Sequence, residues 1–388
     1  MMLLLSCCVL VCHFLIQHVF GQSTNEESQR ASEDEAMTVL SFQLKHEFIA
    51  IPGSNSIIYN RDEDMTSGLS DEYTQLYQLK ALSRKMTSNG VTNWKSIPSV
   101  TDKNTLITLG EMCSNAYIEP PKGEGWMELE SLWHSVHGIG WHGDGLRGHV
   151  FTDYFHRVAI ISFKGTTTQI ASGDQGTVEN DKFNNNILFS CCCASQSCTW
   201  TPEVCECSDP SVSYRCSNNC VSQSLHSNQS YYIASLEVYR HISHLYPSFS
   251  IWVTGHSLGG GVAALLGRRH GIPAVTFNAP GDRLAAMRLR LFDEDDNIYN
   301  IGSTGDPVFM GACNGMLAIC AIAGYAMETG CHSGFECVYD IVNDNGTYMS
   351  MGHHGIKRLI ETMKLYESAP KCSRRDDCVD CYMWEYED

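Results

Sequence analysis

"FSIWVTGHSLGGGVAALLGRRHG", residues 249–271, sets a β-branched and aromatic run (Ile251, Trp252, Val253) directly against Gly255-His256-Ser257-Leu258-Gly259. Beyond it, Val262, Leu265 and Leu266 recur at three- and four-residue spacing among small residues, which is the periodicity of a helix. The stretch therefore reads as a strand, one tight turn and a helix. A turn that sharp crowds its flanks, and glycine at 255 and 259 removes side chains that would strike neighbouring backbone. Strain at its centre lifts the Ser257 hydroxyl above the sheet and points the helix N-terminus at it. That is the mechanical content of G-x-S-x-G between a strand and a helix. Ser257 is read as a nucleophile.

A serine hydroxyl is a weak nucleophile until a histidine takes its proton, and that histidine needs an acid to fix its tautomer. "IPAVTFNAPG" (272–281) and "IYNIGSTGDPV" (298–308) are two further strand-then-turn units, and acid and base are expected beyond such strands. Asp306 follows a strand and a Ser-Thr-Gly turn, and Pro307 stops the turn from continuing as a helix. Asp282 comes too soon after its strand and is expected to cap a helix starting at Arg283. Asp340 follows a cysteine-bearing excursion and is expected on a surface loop. For the base, "MGHHGIKRLIETM" (351–363) places His353 and His354 just before a helix with Ile356, Leu359, Ile360 and Met363 on one face. Two adjacent histidines cannot both face Ser257, and His332, tucked between cysteines, is a third candidate. An oxyanion needs N–H donors: Leu258, immediately after the nucleophile, supplies one. "SFKGTTTQ" (162–169) supplies the other at Thr166, whose hydroxyl adds a donor.

Working outward, strands and helices alternate, so the core is an α/β fold on a mostly parallel sheet. "TLITLGEMCSNAY" reads as a helix, "GHVFTDYFHRVAIISFKGT" as a strand pair, and "YYIASLEVYRHISHLYP" as a helix ending at Pro247. The segment from about 169 to 230 has no long periodic run and reads as an excursion pinned by disulfides. Its triplet Ile187, Leu188 and Phe189 suits either a mobile cover over Ser257 or an anchor in the core. The chain divides into an apolar segment (1–21), a polar acidic stalk (22–37), the catalytic domain (38–370) with a cysteine-rich insert at about 190–220, and a cysteine-containing acidic tail (371–388).

Composition narrows the function. The chain has 388 residues, 43% of them hydrophobic and 18% charged, with a formal charge of −18. It can bury a sizeable core, and nothing basic is clustered to neutralise phosphates, which excludes nucleic acid. The run from Leu3 to Phe20 fits a cleaved secretory signal or an uncleaved signal anchor. Of 19 cysteines, three lie in that run; the others cluster at 190–220, 313–337 and 372–381, with Cys113 alone, and read as disulfides of an oxidising compartment. Their spacings are not those of a zinc site, and neither metal nor cofactor is expected. Asn228 and Asn345 head N-x-S/T sequons, glycan acceptors in that compartment.

"FKGT", "GHSLGG", "GDP" and the C-terminal His-x-Ile together resemble the class 3, fungal-type lipases of the α/β-hydrolase fold. "GLRGHVFTD", "GTVENDKFNNNILFSCCC", "VTFNAPGDRLAA", "DPVFMGACNG" and "GYAMETGCHSG" are similar to the autophagy-related vacuolar lipases within that class. The resemblance implies an α/β-hydrolase fold, hydrolysis of triacylglycerol or phospholipid at a membrane or lipid-droplet surface, and a type II signal-anchored, single-pass glycoprotein passing through Golgi and endosome to a vacuole or lysosome lumen. It also implies the set Ser257, Asp306 and His354, since "HGIKRLI" matches the family's histidine and the helix that follows. Two other readings stay open: an esterase for smaller esters, and a catalytically dead, disulfide-rich lipid-binding protein.

Overall fold

The structure is a computed structural model. It describes residues 46–50, 57–61, 96–119, 122–129, 132–166, 176–193, 202–209, 211–291, 297–314 and 318–387. All of them belong to one compact unit, residues 45–62 and 93–388. The apolar segment and the stalk lie outside the described residues.

The strands are β1 (His46–Ala50), β2 (Ile57–Arg61), β3 (His134–Ile139), β4 (Gly148–Asp153), β5 (Val158–Phe163), β6 (Arg215–Ser217), β7 (Ser250–His256), β8 (Ala274–Phe277), β9 (Ile298–Ser303), β10 (Phe335–Tyr339), β11 (Cys372–Ser373) and β12 (Glu385–Glu387). Ten of these form one sheet in the order β11-β10-β9-β8-β7-β5-β4-β3-β1-β2. Its middle, β5 through β10, is parallel. The strand pair read from "GHVFTDYFHRVAIISFKGT" is β4 and β5, and it is antiparallel. Parallel strands covered on both faces are apolar throughout, and every residue of β5 is buried.

Helices cover both faces: α1 (Lys103–Asn115), α2 (Val178–Phe189), α3 (Asn218–Leu225), α4 (Tyr231–Leu245), α5 (Leu258–His270), α6 (Arg283–Arg288), α7 (Ile319–Ile322), α8 (Ile341–Asn345) and α9 (Ile356–Leu365). Successive side chains of a strand point to opposite faces, so Ile161 and Val253 join one apolar layer with Val238, Val262 and Leu265. Ile160 and Trp252 join the other, with Leu109, Leu359 and Met363. This is the α/β-hydrolase architecture, with its loops at the carboxyl ends of β5, β7, β8, β9 and β10 gathered along one edge.

Three expectations change. The excursion holds a full helix, α2, and its last three residues, Ile187, Leu188 and Phe189, are completely buried. They anchor the insert; a Cβ on Gly261 of α5 would collide with the Phe189 ring. Asp282 does stand at the N-terminal flank of α6, but its carboxylate makes no capping bond there. It turns instead to Ser333, accepting from the main-chain N–H (2.9 Å) and the hydroxyl, because an α6 of only six residues is secured by its neighbours rather than by its cap. Asp340 is half-buried and does cap, accepting from Asn343 at the start of α8.

Seven disulfides lie among the described residues. Cys192–Cys216, Cys193–Cys205 and Cys207–Cys220 close the insert, and Cys313–Cys320 closes the loop after β9. Cys191–Cys381, Cys331–Cys378 and Cys337–Cys372 tie residues after 371 to the body. The sulfurs of Cys193, Cys205 and Cys207 lie within 4.8 Å of one another, but each is spent in a disulfide. Cys113 is buried and free. Among the described residues no helix is long and apolar enough to cross a membrane.

Candidate active site

The strand β7 delivers Ser257 and the helix α5 begins on the next residue. Ser257 holds φ 55° and ψ −127°, a region that side-chain-bearing residues rarely occupy and that functional turns do. Both flanking glycines are required by space. A Cβ on Gly255 would run into the Gly259 carbonyl, and one on Gly259 into the carbonyls of Phe163 and Lys164. The second collision brings the elbow directly against the end of β5.

Asp306 follows β9 and is fully buried. One carboxylate oxygen accepts the Val308 N–H at 2.9 Å, and the other accepts from His354 Nδ1 at 2.9 Å. His354 stands in the turn before α9, and its Nε2 is 2.9 Å from Ser257 Oγ. With Nδ1 donating to a carboxylate, Nε2 is the lone-pair nitrogen and faces the serine proton. Ser257 itself is 3% exposed, so the hydroxyl is shielded from bulk water while the imidazole edge is not. The remaining histidines point elsewhere. His353 Nε2 lies 3.3 Å from Thr347 Oγ1, and His332 Nε2 donates to the Phe309 carbonyl at 3.0 Å.

The oxyanion candidates stand on two elements that meet at the elbow, where a Cβ on Gly165 would press against Ser257. Leu258 is the first residue of α5, so its N–H is among those a helix cannot satisfy internally. Thr166 lies just past β5, and its Oγ1 accepts from the Asn185 side-chain amide at 2.7 Å. That leaves the threonine proton for another acceptor. The loop at the end of β5 is braced by a buried cation: Lys164 Nζ donates to the Gly165 carbonyl at 3.1 Å, to Thr177 Oγ1 at 3.1 Å and to Asp181 at 3.4 Å. Asp181 also accepts from the Tyr231 hydroxyl at 2.9 Å.

Four residues around this geometry carry no readable signal in the sequence: Tyr117, Asn185, His256 and Asn278. His256 was visible only as the second letter of the elbow motif. Its ring lies against Tyr117 and, beyond the nucleophile, near His354. Asn185 sits in the helix that the sequence concealed. Asn228 and Asn345 are both exposed.

Comparison with known proteins follows the same lines. The family profile described as a Tle-like phospholipase domain matches residues 214–295, the stretch containing the elbow. A protein of Pichia angusta named "Putative lipase ATG15" is 38% identical over 402 residues, covering 97% of this chain and 74% of that protein. The protein of the same name in Candida glabrata is 46% identical over 301 residues, covering 75% of this chain and 59% of that one. The chain spans little more than half the length of several such relatives, 53% for Vanderwaltozyma polyspora and 54% for Yarrowia lipolytica. Among solved structures, the Lip2 lipase of Yarrowia lipolytica is similar at 18% identity and a TM-score of 0.35, covering 61% of this chain and 78% of that one.

Proposed function

The chain belongs to the ATG15 lipase family, and from that membership we propose that it is a serine hydrolase cleaving carboxylic esters of lipids, triacylglycerols or phospholipids, in a lumen of the secretory pathway. The observation that carries the reading is the unbroken line from Ser257 Oγ through His354 to Asp306, with both links at 2.9 Å, set on a strand-turn-helix elbow.

His354 Nε2 takes the hydroxyl proton as Ser257 Oγ attacks the acyl carbonyl, and Asp306 holds the imidazolium that forms. The carbonyl oxygen becomes an oxyanion facing the Leu258 N–H and Thr166. Collapse of the tetrahedral intermediate breaks the ester bond, and His354 returns its proton to the departing alcohol. Water, deprotonated by the same imidazole, then attacks the acyl-serine and releases the fatty acid. The substrate surface is a membrane or a lipid droplet. Seven disulfides among the described residues and two exposed sequons, Asn228 and Asn345, suit a glycoprotein of an oxidising lumen. The Golgi-to-vacuole route and the breakdown of autophagic membranes rest on family membership alone.

A fluorophosphonate probe and a substrate panel test the reading together. The probe should label Ser257, and Ser257→Ala should remove both the label and the release of fatty acid from phospholipid vesicles and triolein emulsion. Labelling with no lipid hydrolysis would move the substrate to smaller esters. Absence of labelling would leave a lipid-binding protein.

A further inference from the structure

We infer that His256, the residue before the nucleophile, is a positioning residue: its imidazole and the Asn278 side-chain amide together hold the main-chain carbonyl of His354 and so fix the base against Ser257. The inference rests on the triad reading above and adds what keeps the triad aligned.

His354 lies in a stretch with little structure of its own. A single 3₁₀ turn, Met351–His353, precedes it, and α9 begins only at Ile356. A base on such a stretch needs outside support, because misplacement by about 1 Å costs about 100-fold in rate. Two rigid neighbours supply it. From the end of β7, His256 Nε2 lies 2.8 Å from the His354 carbonyl oxygen. A carbonyl only accepts, so Nε2 carries the proton and donates. From just past β8, Asn278 Nδ2 donates to the carbonyls of both His353 and His354, each at 3.0 Å. Both lone pairs of the His354 oxygen are thereby occupied.

Each residue makes a concession that the strut explains. Asn278 adopts φ 45°, in the left-handed region, and its buried Oδ1 has no hydrogen-bond partner among the described residues. The two carbonyls fix which end of the amide faces them, so turning it over to satisfy Oδ1 would lose both bonds. His256 is fully enclosed, and burial, with His354 beside it, pushes its imidazole down to about 3. Being neutral, its Nδ1 accepts from the Tyr117 hydroxyl at 2.6 Å. Gly165, next to Thr166, lies against the same hydroxyl, where a Cβ on it would collide with the Tyr117 oxygen. Both ring nitrogens are thus committed away from Ser257, which bars His256 from acting as a second base. Tyr117 and His256 thus link the base by two hydrogen bonds to a ring that packs against the oxyanion loop.

Two isosteric variants separate positioning from mere packing. His256→Gln places an amide donor where Nε2 stood and still reaches the His354 carbonyl. His256→Asn mimics Nδ1, keeps the Tyr117 contact, and cannot reach that carbonyl. The measurement is fluorophosphonate labelling of the full chain, read as both the rate constant and the final stoichiometry, together with KM for a soluble short-chain ester. The expected result is full stoichiometry and unchanged KM in both variants. The labelling rate constant should fall about 100-fold in His256→Asn and less than about tenfold in His256→Gln. Adding Asn278→Ala to His256→Asn should lower the rate further than His256→Asn alone, since it removes the second donor to the same carbonyl. Equal rate constants for the two His256 variants would overturn the inference. So would a reduced stoichiometry at an unchanged rate constant, the signature of a purely structural role. If wild-type Ser257 takes no label, the triad reading itself falls.

Discussion

At position 353 and again at 354 the chain carries a histidine, and the fold gives them opposite fates. His354 lies between Ser257 Oγ and Asp306, with its ring edge partly exposed. His353 touches Thr347 and stacks over Gly305, where a Cβ would already be tight against its ring. His354→Ala should therefore lower kcat/KM on a soluble ester by at least about 1,000-fold, as loss of a triad base does. His353→Ala should cost less than about tenfold. A reversed ranking would move the base one residue back and break the register of α9. Cys113 allows a second test at this scale. Its thiol is fully buried beneath β7, 3.1 Å from Thr254 Oγ1, and burial pushes it up to about 12. Only the thiolate reacts, so iodoacetamide at pH 8 should leave Cys113 unmodified in the folded protein. In denaturant without reductant it should be alkylated, as peptide mapping would show. Modification of the native protein at a comparable rate would contradict its placement.

The elements show which part of the molecule the sequence makes legible. The strand, turn and helix around Ser257 are legible because spacing, glycines and β-branched residues all agree, and the strand and turn before Asp306 are equally plain. His354 was reached only with His353 as a rival, since two neighbours in a turn share every local feature. The helix α2 was not read at all. Its sequence, "VENDKFNNNILF", has buried polar residues at Asp181, Asn184, Asn185 and Asn186. Those side chains replace an apolar stripe with directed bonds: Asn184 accepts the Tyr231 N–H at 2.6 Å, and Asn186 accepts the Ala326 N–H at 2.8 Å. Periodicity in hydrophobicity cannot register a helix that docks by hydrogen bonds. The same helix decides the fate of Leu188. A lid residue would tolerate a polar side chain, but Leu188 is wholly buried. Leu188→Gln should cost about 2–5 kcal/mol from the lost packing alone, with unpaired amide atoms adding to it. Yield, thermal midpoint and activity on soluble esters should fall together with activity on emulsions. A folded variant that loses only the rate rise at an interface would restore the lid.

For the whole molecule, the cysteine count foretold pairing but not partners, because connectivity depends on which loops the sheet brings together. The cysteines of the tail, Cys372, Cys378 and Cys381, pair with Cys337, Cys331 and Cys191 of the body. Two of the buried histidines, His149 and His256, are held neutral by their burial, and these make stability depend on pH. His149 is enclosed between Trp126 and Trp141, with its Nε2 donating to the Ile118 carbonyl at 2.8 Å. Burial pushes it down to about 4, and His256 lies lower still, at about 3. Above about pH 6.5 each is neutral in both the folded and the unfolded chain. As pH falls from there towards 4, the unfolded chain takes up a proton at His149 that the folded chain refuses. Stability therefore drops, by up to about 3 kcal/mol for a shift of this size, and the His149 contribution levels off below the folded value. Asp380 opposes this trend, since burial holds its carboxyl above the usual range and favours the folded state on the acid side. Only a comparison of variants isolates the histidine. His149→Gln keeps a donor for Ile118 and removes the titration. Chemical denaturation at pH 7 and pH 4 should show the wild type losing more stability than the variant over that interval, by an amount of this order. If the two proteins lose stability in parallel, His149 is not held neutral in the fold.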